Sequence, residues 1–317
     1  MFKVAKFSFY DVYDVKKGRF NLSGYDCIVG NPEKRYGDEF KYNTDVIQVE
    51  LPYTCRNYSL FYKTPSNILY SACFALCELL NNDKLTERQK SPLYKILVNS
   101  LHVVHHISTE KRHSKLNGIN SLSTSCVDNC YCVERMKNKD SVCSKCYSNT
   151  QQKTQLALQD RNIINGVILR NIVIPAKYWK KYINPVDISK FFRFESFGDV
   201  ANKTQALNYI EFCKAFPRVH FAVWTKNTGI WHFAFLDSDK PKNLSYIVSS
   251  NKLNKPELWR MNSDKNINHI FTVYDETAIE ENKVVINCGG RSCMDCIKRH
   301  KACYFTDTET IINEQLK

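Results

Sequence analysis

The chain has 317 residues, of which 43% are hydrophobic and 24% are charged, as in an ordinary globular protein. This composition excludes a fibrous protein and one that is mostly disordered. The sequence holds no run of about 18 apolar residues, so we expect no membrane-spanning helix and no membrane partner. The first ten residues lack the apolar core of a signal peptide, which predicts a cytoplasmic protein.

The formal net charge is +13, and the positive residues are spread over both halves of the chain. Such a field favours polyanions, nucleic acid above all, because binding releases the counterions of the polyanion. Nucleic acid is therefore an expected partner. The alternative is a surface that is merely rich in Lys and Asn, since no recognised nucleic-acid-binding motif accompanies the charge.

The predicted elements begin with a strand-rich segment over 1–63, in which 46–51 alternates apolar and polar residues. Helices are predicted over 66–80 and 86–104, where apolar residues recur at helical spacing. The polar, Ser-rich and Lys-rich stretch 108–125 is typical of a linker.

These features divide the chain into an N-terminal α+β extension, residues 1–107, and a larger domain, residues 108–317. In the larger domain, helices alternate with short apolar strands. Helices are predicted at 153–165, 202–216 and 228–236, and strands at 191–197, 219–225, 244–249, 270–274 and 284–287.

Strands that are separated by helices predict a parallel sheet. The predicted strands are almost continuously apolar, as expected when both faces of a sheet are covered. No G-x-G-x-x-G motif follows a strand, which argues against a dinucleotide-binding fold. The expected fold is therefore α/β, a complete or partial α/β (TIM-like) barrel with an N-terminal strand-plus-helix extension.

The chain contains 14 cysteines, and nine of them fall into two tight groups. Cysteines clustered in this way in a reducing compartment indicate metal binding rather than disulfides. The second cysteine group consists of Cys288, Cys293, Cys296 and Cys303, with the spacing C-x4-C-x2-C-x6-C. It follows the strand predicted at 284–287, so we expect it at the carboxyl end of a strand.

Four thiolates this close together can surround one metal ion or one cluster. Zinc sites more often pair two C-x2-C turns across a long spacer, whereas this group is one contiguous run. The spacing therefore predicts a closed [4Fe–4S] cluster, and zinc is the alternative.

The first cysteine group consists of Cys126, Cys130, Cys132, Cys143 and Cys146. If Cys132, Cys143 and Cys146 alone bind a second [4Fe–4S] cluster, one iron stays open. An open iron can bind a small-molecule ligand or S-adenosylmethionine. Cys126 or Cys130 could instead close that iron, or both could be ordinary thiols.

Polar residues follow successive predicted strands, and three of them are candidate catalytic residues: Glu195, Asp199 and Lys226. Together with Ser250 they would form the mouth of a barrel, where α/β barrels carry their active sites. Loop polarity and helix capping are the alternative explanation.

Three stretches, 119–147, 192–227 and 286–304, resemble the gene-product-eighty-eight-like family of phage and mobile-element proteins. The second contains FRFESFGDV and the first ends in VCSKCY. The resemblance covers residues 115–317, and it implies location in the host cell cytoplasm. It also implies a set of cofactor ligands: Cys132, Cys143, Cys146, Cys288, Cys293, Cys296 and Cys303.

The sequence is also distantly similar to radical S-adenosylmethionine enzymes with a partial α/β barrel. Cys146-Tyr147 and Phe197-Gly198-Asp199 match parts of their pattern. The spacing from Cys132 to Cys143 departs from it, and no Gly-Gly-Glu motif is present. This similarity implies radical chemistry only by analogy with the fold of those enzymes.

The leading functional hypothesis is an iron–sulfur protein that acts as a redox or radical-type enzyme. The alternatives are a zinc-stabilised nucleic-acid-binding module and a non-catalytic iron–sulfur protein that interacts with host factors. Metal identity distinguishes the zinc-stabilised module from the two iron–sulfur hypotheses.

Overall fold

A computed structural model describes the following residues: 13–14, 19–20, 65–81, 85–108, 114–289, 292–300, 303–306 and 310–316. The chain divides into two compact units, residues 1–100 and residues 101–317. The strand predicted at 46–51 lies outside the described residues.

The first unit contains a pair of short antiparallel strands, β1 (Tyr13–Asp14) and β2 (Arg19–Phe20). Two helices follow, α1 (Pro65–Leu80) and α2 (Glu87–Ser100). The helix predicted at 66–80 is confirmed, whereas the helix predicted at 86–104 ends at Ser100, and residues 103–105 form a strand instead. Residues at three-residue and four-residue intervals on α1 are buried: Ala72, Cys73, Leu76, Cys77 and Leu80.

The second unit contains seven strands and nine α-helices within the described residues. The strands are β3 (Val103–His105), β4 (Asn120–Leu122), β5 (Phe191–Phe194), β6 (His220–Thr225), β7 (Leu244–Ser249), β8 (His269–Tyr274) and β9 (Thr310–Gln315). The helices are α3 (Cys130–Lys137), α4 (Tyr147–Thr154), α5 (Leu156–Asn171), α6 (Ala176–Tyr182), α7 (Lys203–Ala215), α8 (Thr228–Asp237), α9 (Trp259–Ser263), α10 (Glu276–Asn282) and α11 (Cys293–Lys298). None of the helices in the described residues combines the length and apolarity that a bilayer crossing requires.

The seven strands form one sheet in which they lie side by side in chain order, from β3 to β9. β3 and β4 are antiparallel, and every later pair is parallel. Right-handed crossovers between strands in chain order place their helices on one face of the sheet. The α/β class is thus confirmed, but within the described residues the sheet is open, with β3 and β9 at its edges, and forms no complete barrel.

The helix-covered face is centred on Phe212 of α7. Its ring lies 5.3 Å from Phe192, 5.7 Å from Phe194 and 5.5 Å from Phe221, measured between ring centroids. All four side chains are fully buried. This aromatic cluster joins α7 to β5 and β6, and aromatic pairs of this kind add to the stabilisation that burial alone provides.

The opposite face of the sheet, called here the inner face, carries the alternate residues of the same strands. Phe191, Ala222, Ile247 and Ile312 lie on it in neighbouring registers. The second cysteine group packs against this face. Both faces are therefore covered, as the continuous apolar strands predicted.

The prediction of a linker over 108–125 is wrong, because β4 lies within it and pairs with both β3 and β5. Its polar side chains are buried but hydrogen-bonded. Asn120 Nδ2 donates to the carbonyl of Asp187 at 2.8 Å, and Ser121 Oγ lies 2.8 Å from Nε2 of His106. Polar groups that are hydrogen-bonded can be buried at a low cost in free energy. The polar composition of this stretch therefore did not indicate a buried strand.

The strand predicted at 284–287 is also wrong, and β9 was not predicted. Asn287 N–H donates to the carbonyl of Asn313 at 3.2 Å, but β9 itself pairs with β8 along its whole length. The apolar run 284–287 thus runs beside the edge strand without joining the ladder. The single helix predicted at 153–165 is replaced by parts of two helices, because α4 ends at Thr154 and α5 runs from Leu156 to Asn171.

Replacing Phe212 by Ala should lower the free energy of unfolding by about 3–5 kcal/mol, because it leaves a cavity between α7 and the sheet. Denaturant unfolding followed by circular dichroism measures this. The control is Phe233→Ala on α8, where the ring is 59% exposed and the effect should be small. Equal losses in the two variants would contradict this account of the core.

Candidate functional site

The second cysteine group is organised locally by the start of α11. Ser292 is the N-cap residue, and its side chain accepts a hydrogen bond from Asp295 N–H at 3.2 Å. The Asp295 carboxylate accepts in turn from Ser292 N–H at 3.3 Å, which completes a capping box. Cys293 and Cys296 are three residues apart on this helix and therefore share one side of it.

Two backbone hydrogen bonds anchor the group to the rest of the second unit. Cys288 N–H donates to the carbonyl of Asn313 on β9 at 3.0 Å. Cys293 N–H donates to the carbonyl of Lys115, in the segment before β4, at 2.8 Å. The thiols are consequently held over the inner face from two sides.

Cations approach these thiols closely. Lys115 Nζ donates to Cys288 Sγ at 3.2 Å and pairs with Glu314 at 2.5 Å. The pKa of the Cys293 thiol is raised to about 11, because burial and the neighbouring thiols raise it more than the charges of Arg193 and Lys115 lower it. Burial and neighbouring thiols likewise raise the pKa of Cys303. The thiols of Cys293 and Cys303 are therefore protonated at neutral pH unless a cation joins them.

Within the described residues, no group of three or more His, Cys, Asp or Glu side chains is already arranged around a metal position. Metal binding by the second cysteine group would require loss of the thiol protons and rotation of the side chains towards a common centre. The donor set is all sulfur, and it suits zinc or an iron–sulfur cluster.

Four of the five cysteines of the first group lie together. The thiols of Cys126 and Cys146 are hydrogen-bonded to each other. Burial raises the pKa of Cys132, and the charges of Cys143 and Cys146 raise it further. Cys130, by contrast, is exposed.

Cys146 stands at the N-terminus of α4, where it is the N-cap residue. The thiol of Cys126 donates to it, the backbone N–H groups of Asn149 and Ser148 lie near it, and Lys226 adds a positive charge. These contacts lower the pKa of Cys146. Cys146 is thus the thiol of this group that most readily becomes a thiolate.

The first cysteine group lies over the carboxyl ends of the parallel strands. Arg135 Nη1 donates to Oδ1 of Asn251, just after β7, at 2.6 Å, and Val142 N–H donates to the Asn251 carbonyl at 3.0 Å. Asn129 Nδ2 donates to the carbonyl of Asp199, after β5, at 2.7 Å. This is the edge at which α/β folds carry their sites.

Asp199 is buried, and both of its carboxylate oxygens accept hydrogen bonds. Oδ1 accepts from Thr225 Oγ1 at 2.5 Å and from Val200 N–H at 2.7 Å, and Oδ2 accepts from Lys226 N–H at 2.9 Å. Burial raises the pKa of Asp199, although these donors lower it. The carboxylate ties the loop after β5 to the end of β6.

Glu195 also lies beneath the surface, at a φ of 53°. Alternation along β5 would place its side chain on the inner face with Arg193, but the left-handed backbone turns it beneath α7. There its carboxylate accepts from Thr124 N–H at 3.1 Å, from Gln205 Nε2 at 2.6 Å and from Tyr209 Oη. These donors hold the strained backbone in place.

The structure brings two of the three candidate catalytic residues together, since Lys226 N–H donates to Asp199, and turns Glu195 away beneath α7. Lys226 lies beside Cys146, whereas the carboxylates of Glu195 and Asp199 are already satisfied by protein donors. Sequence reasoning missed Lys115, because it lies in the stretch that was interpreted as a linker. In the sequence, Lys115 could have been found only as a single positively charged residue near a buried strand, β4.

Comparison with known proteins yields one family. A family model described as Gene product 88 matches residues 77–310, which is most of the chain. This confirms the family expected from the sequence and extends the match back into α1. No curated protein and no solved structure matches the chain. The similarity to radical S-adenosylmethionine enzymes remains an expectation from the sequence.

At Gly198, the loop after β5 lies close to the backbone of Thr124. A Cβ there would lie 2.5 Å from the carbonyl oxygen of Thr124 and 2.6 Å from Oε2 of Glu195. Gly198→Ala should lower the free energy of unfolding by about 1–3 kcal/mol, since the loop must move. Thermal unfolding measures the change.

The matched control is Gly229→Ala on α8, where a Cβ meets nothing within 4 Å. In a helix, alanine is the better helix former, so stability should be unchanged or slightly higher. Unaltered stability of the Gly198→Ala variant would refute the close approach.

Proposed function

We propose that this chain, which belongs to the Gene product 88 family, is an iron–sulfur protein that binds [4Fe–4S] clusters at its two cysteine groups. The observation that carries the proposal is the second cysteine group, whose four thiols pack together against the inner face. Cys288, Cys293, Cys296 and Cys303 are the proposed ligands of one closed cluster.

Packing these thiols together against an apolar face makes their ionisation unfavourable, and a bound cluster would remove this free-energy cost. Cys288, Cys293 and Cys303 are partly buried, and burial raises the pKa of all three. Neighbouring thiols of the same group also raise the pKa of Cys293 and of Cys303. Ligation releases the thiol protons and places a positive centre among the sulfurs.

The surroundings favour iron–sulfur over zinc. The group is one contiguous run on an apolar face, and Lys115 and Arg193 supply positive charge that offsets a thiolate-ligated cluster. Zinc is the second metal that the same four sulfurs would accept. In that case the metal would stabilise the fold without redox chemistry.

The first cysteine group is proposed to bind the second cluster through Cys132, Cys143 and Cys146. Its position over the carboxyl ends of β5 and β7, in an open sheet that resembles part of a barrel, supports a site facing a mouth. Cys126 touches Cys146, which favours Cys126 over the exposed Cys130 as a fourth ligand.

With Cys126 bound, the first cluster transfers electrons or stabilises the fold. Without it, one iron would be open to a small molecule such as S-adenosylmethionine, and a redox or radical-type enzyme would follow. We favour the closed form, because the Cys126 thiol is already in contact with the group.

Anaerobically purified protein should contain iron and acid-labile sulfide in equal amounts and little zinc. Cys296→Ser should lose about half of the iron, because one of two clusters is lost. It should also unfold at a lower temperature, since cluster binding contributes to stability. Iron, sulfide and zinc analysis measures the first effect, and thermal unfolding the second.

The matched control is Cys213→Ser, a buried cysteine of α7 outside both groups. It should keep its full iron content even if its stability falls. Colourless parent protein that contains only zinc would refute the iron–sulfur proposal and favour the zinc-stabilised module.

A second candidate function, nucleic-acid binding, is favoured by α6. Three exposed lysines lie on this short helix, Lys177, Lys180 and Lys181. The Nζ atoms of Lys177 and Lys181 lie 4.9 Å from the ring centroids of Tyr178 and Tyr182, respectively. Exposed cations of this kind suit the phosphate backbone of a nucleic acid, and the neighbouring rings orient them.

Replacing Lys177, Lys180 and Lys181 together by Gln should reduce the slope of log affinity against log salt concentration by about 3. Fluorescence anisotropy with a labelled duplex and a labelled single strand measures it. The control replaces three exposed lysines elsewhere by Gln: Lys252, Lys255 and Lys265. Identical slopes for the two triple variants would show that α6 is not the binding surface.

A further inference from the structure

Arg193 occupies the middle of the inner face. It lies on β5, opposite Ser121 of β4 on one side and Ala222 of β6 on the other. Its guanidinium carbon is 4.1 Å from the ring centroid of Trp224. This stacking orients the cation and leaves its N–H groups to point along the face.

The Arg193 side chain has no anionic partner among the described residues, and its buried Nε has no hydrogen-bond acceptor there. Arg170 shows the usual arrangement for a buried arginine in this protein. It pairs with Asp128 at 3.1 Å and donates to the carbonyl of Ser125 at 3.1 Å. Desolvating a guanidinium without an anionic partner costs free energy. Arg193 therefore lacks the anion that would offset its charge.

Ionisable side chains lie around Arg193, and two of them belong to the second cysteine group. The groups whose charges act on it include Cys293 and Cys303 of the second cysteine group. Trp224, on which Arg193 stacks, also touches Tyr304, the residue after Cys303, with ring centroids 5.8 Å apart. Arg193 thus stacks on a residue of the same cluster in which the four sulfurs of the second cysteine group lie.

Tyr147, the residue after Cys146, also acts on Arg193, and its hydroxyl donates to the carbonyl of Ser196 at 2.9 Å. The cysteines whose charges act on Arg193 are nevertheless those of the second group, Cys293 and Cys303.

We propose that Arg193 is the internal cation that pairs with the ligated second cysteine group and sets the reduction potential of its cluster. The inference rests on the proposed function. Reduction adds one electron, here from a chemical reductant such as dithionite, and makes the site more negative. A fixed cation in a desolvated position stabilises the reduced form more than the oxidised form.

The test is an anaerobic redox titration followed by electron paramagnetic resonance, on parent protein and variants with matched iron and sulfide contents. Arg193→Gln should move the midpoint potential of the second cluster to a more negative value. Arg193→Lys, which keeps the charge but not the planar stacking, should give a smaller negative shift. The Cys296→Ser variant identifies the signal that belongs to the second cluster.

The matched control is Arg260→Gln. Arg260 also stacks on a tryptophan, with its guanidinium carbon 4.8 Å from the Trp259 ring centroid, but it is paired with Glu257. Its replacement should leave the potential of the second cluster unchanged.

The outcomes separate this inference from the proposed function. Full iron content with an unchanged potential in both Arg193 variants overturns the inference and leaves the iron–sulfur proposal standing. Parent protein without iron overturns both. If Arg193→Gln does not fold, the result depends on Arg193→Lys, for which no shift overturns the inference.

Discussion

The burial of four thiols against one face of the sheet is the constraint on which the second unit depends. The segment that carries them has little regular structure beyond α11, yet it covers the inner face that β5 to β9 would otherwise expose. Two backbone hydrogen bonds and the apolar contacts hold it there. Because buried thiols resist ionisation, the same packing that completes the core leaves a site that a cation would stabilise.

The carboxyl edge of the sheet obeys a different constraint, which is the satisfaction of buried carboxylates. Asp199 and Glu195 each accept several hydrogen bonds, and these bonds connect the strand ends to α7 and to the loop before α3. Glu195 adopts a strained backbone to do so. The edge is therefore a rigid platform on which the first cysteine group rests, and its chemistry is expected to come from the sulfurs.

Positive charge links the two cysteine groups. Lys115 contacts Cys288, Lys226 lies beside Cys146, and Arg193 lies on the inner face with the second cysteine group. The net charge of +13 thus has an internal component as well as the exposed lysines of α6. Internal cations act on bound clusters, whereas exposed ones act on partners in solution, so the two sets are tested by different experiments.

The sequence by itself determined the α/β class, the elements β6, β7, β8 and α7, and the grouping of the cysteines, because apolar periodicity and spacing are local properties. Only the tertiary structure revealed β4, whose buried Asn120 and Ser121 side chains are hydrogen-bonded to residues elsewhere in the chain. It alone showed that Glu195 turns beneath α7, that Cys126 contacts Cys146 while Cys130 is exposed, and that Arg193 lacks an anion among the described residues. Each of these depends on contacts between residues far apart in the chain, which no local pattern encodes.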